Sequence, residues 1–444
     1  MAPTITQGMW LSIEPAHTPP CPGDIILIAC NQRYVAHRVL LNPDPGRIPF
    51  LVTKGDGCRF ADPPVSRDQV LGKVSVPNPF RTGSTARQFL IRQLQLELSA
   101  DRDTGDNGYS LPENPVERSC FYEELLEVSL LEGLEAFTCN RLERLGLSGQ
   151  LPEEIALRAE KRFSLNLIST TCMMDEYHHV AGEFSRAGIS FVPVKGIALA
   201  QTVYAQLKDR SFNDMDILVR PDQIRMAVEI LKNRGYHQDP DRTRLGAQAA
   251  LVLNHHLPPF RKNRIVIELH YRLLPSDPGG FSESFLQHSV AGKESTYLPD
   301  RIYHAVFLAA HLDKHASRGE FQYRLMRDLA LLLGTNPASW SEARQLAKKY
   351  DLEESFVRVQ TCFEILYIEG QHPQTETIFT ARHGHQIDHI TDNLALLKGP
   401  KLKLIWLLDF LFPSPEYVQK FHPGCTGIRL PAYYFSRLMK GFRK

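Results

Sequence analysis

The chain has 444 residues, 43% hydrophobic and 23% charged, with 51 Lys and Arg against 50 Asp and Glu. A net charge of +1 excludes a large single-sign field of the kind that holds nucleic acid or an anionic membrane. The eight cysteines show no C-x-x-C pair or zinc-ligand spacing, and few cysteines in a long chain fit a reducing compartment, so the cytoplasm is expected. No run of about 18 apolar residues marks a transmembrane helix.

Residues 11–76 read as β-rich. "GDIILIAC", "RYVAHRVLL", "FLVTKG" and "VLGKVSV" are short apolar runs split by Pro, Gly and Asp. Residues 84–98 read as a helix. "ADRDTGDNGYSLPENP" (100–115) has a linker composition, and the main boundary is placed there. From about 120 the apolar spacing becomes helical, with Pro152 at a helix start and Gly188 at its stop. "ISFVPVKG" reads as a strand, "IALAQTVYAQL" as a helix and "FNDMDILV" as a strand. "PDQIRMAVEILKNRGY" is a helix with Ile224, Val228 and Leu231 on one stripe, and "RIVIELHYRL" is a strand. Beyond 296 the pattern is helical. The expected fold class is multidomain. An all-β domain covers 1–78, and a helix plus linker 79–119. An α/β (α+β) core with a mixed sheet and flanking helices covers 120–295, and a mostly α region 296–444. The basic cluster Arg261-Lys262-Asn263-Arg264 reads as a solvated face.

Chemistry concentrates in Asn213-Asp214-Met215-Asp216-Ile217-Leu218-Val219. Side chains two apart on a strand share a face, so Asp214 and Asp216 are expected to project together. Adjacent carboxylates repel unless a cation lies between them, and Mg²⁺ (or Mn²⁺) takes oxygen ligands while keeping positions open for phosphates. Such a pair alone is a weak signal, but three features strengthen it. Lys195-Gly196 ends a strand and opens a helix, where backbone N–H groups attract phosphate. In Val266-Ile267-Glu268-Leu269-His270, Glu268 and His270 share a face, which supplies a third carboxylate. Arg210 precedes the acidic strand and is placed to meet a triphosphate. His255-His256 reads as a turn or half-buried pair. His311 and His315 are four apart on a helix without the glutamate of H-E-x-x-H, so they read as structural or supporting.

In order, "VKGIALAQTVY", "DRSFNDMDILVRPDQIRMAVEILKNRGY", "NHHLPPFRK" and "VIELHYRL" resemble the uncharacterised nucleotidyltransferase family of the DNA polymerase β-like superfamily. The likeness covers about 120–350 and includes "AVFLAAHLDKH" and "YRLMRDLALLL", with His311, His315 and Asp328. It implies that Asp214, Asp216 and Glu268 carry metal and that Lys195 and Gly196 hold the nucleotide. The superfamily's glycine-serine phosphate signature is reduced here to Lys195-Gly196 followed by Ile197.

The first 76 residues resemble the signal peptidase I family, of the archaeal and endoplasmic-reticulum type. The matching boxes are "HRV", "TKGD", Asp62 and "GKV". The resemblance implies that His37 is a general base oriented by Asp62, with Asp56 as the alternative acid. The family's nucleophile box S-M-x-P-x-I-x-x-G matches from Met1-Ala2-Pro3-Thr4-Ile5 onward. Its serine falls before Met1, and Ser12 lies in the following strand-like run. The expectation is a start upstream of Met1; otherwise the domain holds peptide without cutting it. Together these readings predict a metal-dependent transferase moving NMP from an NTP to an acceptor, with a peptide or protein as the acceptor that the domain pairing suggests. A serine endopeptidase and a non-catalytic binding protein are the alternatives.

Overall fold

A computed structural model describes residues 12–14, 20, 25–30, 33–41, 50–54, 65–75, 85–98, 112–241, 252–292, 297–317, 320–373, 375–379, 393–421, 427, 430–431 and 433–435. Its contacts divide the chain into two compact units, Met1–Arg81 and Thr82–Lys444.

In the first unit, the β-branched runs form β1 (Ser12–Glu14), β2 (Ile25–Cys30), β3 (Arg33–Leu41), β4 (Phe50–Lys54), β5 (Val65–Ser66) and β6 (Val70–Ser75). They make one sheet in the order β1-β6-β2-β3-β4-β5, with antiparallel pairings throughout. Ile26, Ile28, Val39 and Leu51 form its buried cluster. Ile26 and Ile28, two apart on β2, share the buried face that the pleat of a strand provides.

The second unit opens with α1 (Thr85–Leu98), α2 (Pro115–Glu132), α3 (Glu135–Arg144) and α4 (Glu153–Arg186). Phe89, Leu90 and Leu94 of α1 are buried in the same core as Phe121, Tyr122 and Leu125 of α2. The division between units therefore falls ahead of α1, and not in the 100–115 segment that composition alone suggested. One core also runs from α1 through the helices Arg301–Ala316, Tyr323–Leu333 and Glu353–Phe363.

Within this unit lie β7 (Phe191–Val194), α5 (Lys195–Thr202), β8 (Met215–Val219), α6 (Ile224–Asn233), β9 (His237–Gln238), β10 (Phe260–Lys262) and β11 (Ile265–His270). The strands form a mixed sheet in the order β7-β8-β11-β10-β9, in which β8 and β11 run parallel and the other pairings are antiparallel. Phe191, Met215, Ile217, Val219, Ile267 and Leu269 pack on one side with Tyr177, Val180 and Phe184 of α4 and Ala227 and Leu231 of α6. Val192, Val194 and Leu218 join the other core with the later helices. The sheet is thus buried on both faces, which explains why β8 reads as a continuous apolar run broken only by Asp216. The basic cluster is absorbed locally: Arg261 pairs with Asp239 at 2.9 Å and Lys262 with Glu176 at 3.2 Å. Among the described residues, no helix is long and apolar enough to cross a membrane.

Candidate active site

Parallel pairing of β8 with β11 sets Glu268 directly beside Asp216, while the β7–β8 pairing sets Val194 beside Asp216 from the other side. The next residue after Val194 is Lys195, so the end of β7 delivers its side chain to the acidic strand. Lys195 Nζ lies 2.7 Å from Asp216 Oδ1. His270, two residues after Glu268, points the same way. Its Nε2 lies 2.8 Å from Asp216 Oδ1 and 3.7 Å from Glu268 Oε2. A carboxylate oxygen can only accept, so Nε2 carries the proton and donates. His270 is fully buried, and its Nδ1 has no hydrogen-bond partner.

The chain turns sharply at this point. Lys195 has φ +55, a left-handed conformation that costs a β-carbon-bearing residue about 1–2 kcal/mol. It allows the extended Val194 to be followed at once by α5. The Lys195 N–H donates to His304 Nε2 at 3.2 Å, so a buried histidine of the Arg301–Ala316 helix fixes the turn. Gly196 follows against Phe212: a Cβ there would lie 2.6 Å from Phe212 Cβ. Glycine is needed at 196 for this close approach.

The electrostatics separate the carboxylates. Burial opposes ionisation of Asp216, but the Lys195 ammonium and the His270 hydrogen bond hold its carboxyl well below the usual range. Glu268 is also held below its ordinary value, its burial outweighed by the His270 bond. Asp214 is pushed up to about 6 by burial and then by the charge of Asp216. Strand β8 begins at Met215, so Asp214 stands just ahead of the strand and not within it. It lacks the direct cation that Asp216 has. Burial and, after it, the Lys195 charge keep His311 well below its ordinary value, hence neutral. His315 instead bonds Glu320 at 3.0 Å. His256 Nδ1 donates to the Leu257 carbonyl at 2.8 Å, and the rings of His255 and His256 lie 5.5 and 5.2 Å from that of His270.

Donor atoms of Asp216, Glu268 and His270 all lie within 4.8 Å of one another. The set fits a divalent cation: two carboxylates suit Mg²⁺, and the added imidazole suits Mn²⁺ equally. The Lys195 ammonium already stands in for a cation on Asp216. Sequence alternation placed His270 beside Glu268 but gave it no role, because its bond to Asp216 depends on the parallel strand pairing.

Arg210, expected to meet a triphosphate, is turned inward. It is buried, and its Nε and Nη2 reach Asp328 at 2.8 and 2.7 Å. Tyr204 donates to the same carboxylate at 2.6 Å. Asp328 is fully buried, so this pair holds the short 3-10 turn Leu207–Asp209 after α5 against the Tyr323–Leu333 helix and leaves little of the guanidinium for a ligand. In the N-terminal unit, His37 lies half-buried on β3 opposite Ile26. Asp56, Asp62 and residues 1–11 lie outside the described residues.

No curated protein matches the chain. A family model described as an uncharacterised nucleotidyltransferase matches residues 122–367, which contain β7, β8, β11 and every residue of the acidic site. That match takes in more than half of the sequence, and the chain belongs to this uncharacterised nucleotidyltransferase family.

Proposed function

We propose that the second unit transfers NMP from an NTP to an acceptor, releasing pyrophosphate, with the aid of Mg²⁺ or Mn²⁺ held by Asp214, Asp216 and Glu268, and that His270, in the tautomer that frees Nε2, completes the ligand set. The observation that carries this reading is the side-by-side register of Asp216 and Glu268 on parallel strands, with Lys195 delivered to the same point. A divalent ion there supplies positive charge to the phosphate oxygens as bonds exchange.

The chain's own residues divide the remaining work. Asp216, 2% exposed, is fixed by Lys195 and His270 and orients the site. Glu268 is 21% exposed at its side chain, so it is the carboxylate an acceptor reaches from solvent. Lys195 places an ammonium beside the acids, and Gly196 opens the backbone at the start of α5, where phosphate oxygens are favoured. His304 holds the Lys195 amide in position. The N-terminal sheet is assigned, on sequence resemblance alone, to hold a peptide or protein acceptor.

The test is transfer of label from α-labelled NTPs by the full chain with Mg²⁺ or Mn²⁺. Asp216→Asn and Glu268→Gln should each reduce transfer by at least about 10²-fold without loss of fold by circular dichroism. Transfer that survives both substitutions, or that is indifferent to a chelator, removes the reading.

A further inference from the structure

The buried arginines around the second core are matched to acceptors. Arg210 pairs with Asp328, Arg327 with Glu97 and Arg87 with Glu132, and Arg141 donates to Gln93 Oε1. Arg324, in the first turn of the Tyr323–Leu333 helix, is different. Among the described residues, its side-chain hydrogen bond runs from Nη2 to the neutral Gln322 Oε1 at 3.2 Å. Its Nε is buried with no partner. Among the described residues no carboxylate forms an ion pair with it.

The position of this side chain is not loose. Its stem crosses Gly133, where a Cβ would lie 2.9 Å from Arg324 Cδ. The glycine that ends α2 therefore makes room for it. The charges of Asp328, one helical turn along, and of Asp214 and Glu135 reach the guanidinium at a distance, and the Arg210 charge opposes them. A half-buried cation with no carboxylate in hydrogen-bond contact among the described residues is under-compensated in the free protein. It becomes favourable when an anion arrives, and the planar guanidinium fork is shaped for phosphate oxygens.

We propose that Arg324 is an anion clamp for the β- and γ-phosphates of the nucleotide, the role that the sequence suggested for Arg210. This rests on the nucleotidyl-transfer reading for the identity of the ligand but not for the existence of the site. The acids and Lys195 lie at the ends of β7, β8 and β11, whereas Arg324 enters from a later helix. A triphosphate whose reacting phosphorus lies near Asp216 has a charged tail that must be met by a cation. Arg210 is bonded to Asp328, whereas the Arg324 guanidinium is half-buried and ion-paired to no carboxylate among the described residues.

The experiment measures binding of inorganic tripolyphosphate, and separately of AMP, to the full chain by calorimetry. It is run in an Asp216→Asn background, so that no transfer can contribute. Arg324→Met should weaken tripolyphosphate binding by about 10- to 100-fold, with Arg324→Lys intermediate and AMP binding unchanged. Without ligand, Arg324→Met should melt no lower than its parent, because an unpaired charge has been removed. Equal tripolyphosphate affinity in parent and Arg324→Met overturns the clamp while leaving the transfer reading untouched. So does a parent that binds no tripolyphosphate. A loss confined to AMP overturns the assignment to the β- and γ-phosphates. If Arg324→Met fails to fold, the Lys variant alone decides, since a clamp predicts weaker tripolyphosphate binding at an unchanged melting temperature.

Discussion

Lys195 and His270 converge on the same atom: the ammonium at 2.7 Å and the imidazole N–H at 2.8 Å both meet Asp216 Oδ1. The charge of Asp216 is therefore compensated before any substrate arrives. An ammonium in this place competes with a metal ion for the carboxylate. Lys195→Met should consequently tighten Mn²⁺ binding by the nucleotide-free chain, by roughly tenfold, as read from the free-Mn²⁺ electron paramagnetic resonance signal. The same variant should lose transfer activity by about 10²-fold or more. Weaker Mn²⁺ binding in the variant would instead make the ammonium a partner of the ion and not its rival.

Gly196 is predicted to tolerate no β-carbon. With Phe212 Cβ 2.6 Å from the place a methyl group would take, Gly196→Ala should cost about 1–3 kcal/mol through overpacking. The same substitution in a Phe212→Ala background should cost markedly less, so chemical denaturation of the four members of the cycle reads the coupling directly. Equal costs in both backgrounds would mean that the close approach is not what selects glycine.

Arg210 and Asp328 form a buried bidentate pair, and their removal should show in stability. Arg210→Met leaves a fully buried carboxylate without its counter-ion and should cost about 3–5 kcal/mol. The double variant Arg210→Met, Asp328→Leu should recover much of that loss, since an apolar pair has no desolvated charge. Unchanged stability of Arg210→Met, with a raised KM for NTP, would return Arg210 to the nucleotide.

His304 gives the molecule a defined response to acid. Burial lowers its pKa to about 4 from the ordinary 6.5, and its Nε2 accepts the Lys195 N–H only when unprotonated. The unfolded chain takes up this proton near pH 6.5 and the folded chain does not until about pH 4. Stability from this group is therefore complete above 6.5, falls as pH drops toward 4 and is level below that. The total is on the order of 3 kcal/mol. His304→Gln retains an acceptor that does not titrate, and should flatten the melting-temperature profile between pH 6.5 and 4. A slope identical to that of the parent would place the acid sensitivity elsewhere.

Much of this arrangement is written locally in the chain. Alternation in "RIVIELH" puts Glu268 and His270 on one face and Ile267 and Leu269 on the other, and the folded sheet keeps that division. The stripe of Ile224, Val228 and Leu231 on α6 follows from helical spacing in the same way. Other features depend on which segments become neighbours, and no short window holds that information. Asp214 reads as a strand residue, but β8 starts one position later and leaves it less compensated. Arg210 reads as a cation placed to meet a triphosphate because its partner lies far along the chain. Arg324 carries no local signal at all: its distinction is the lack of an acid, visible only once the core has assembled around it.

The separation between Arg210 and Asp328, 118 positions along the chain, has a consequence for synthesis. A ribosome adding ~5–20 residues per second exposes Arg210 and the β8 acids many seconds before Asp328 emerges. During that interval the segment after α5 has no carboxylate to anchor it, and Lys195 lacks the histidine that fixes its amide. The acidic strand pair can form early, but the pocket around it matures only when the Tyr323–Leu333 helix arrives. A nascent chain caught short of that helix would carry the acids of the pocket without its geometry, so the fold delays completion of the pocket until the Tyr323–Leu333 helix has emerged.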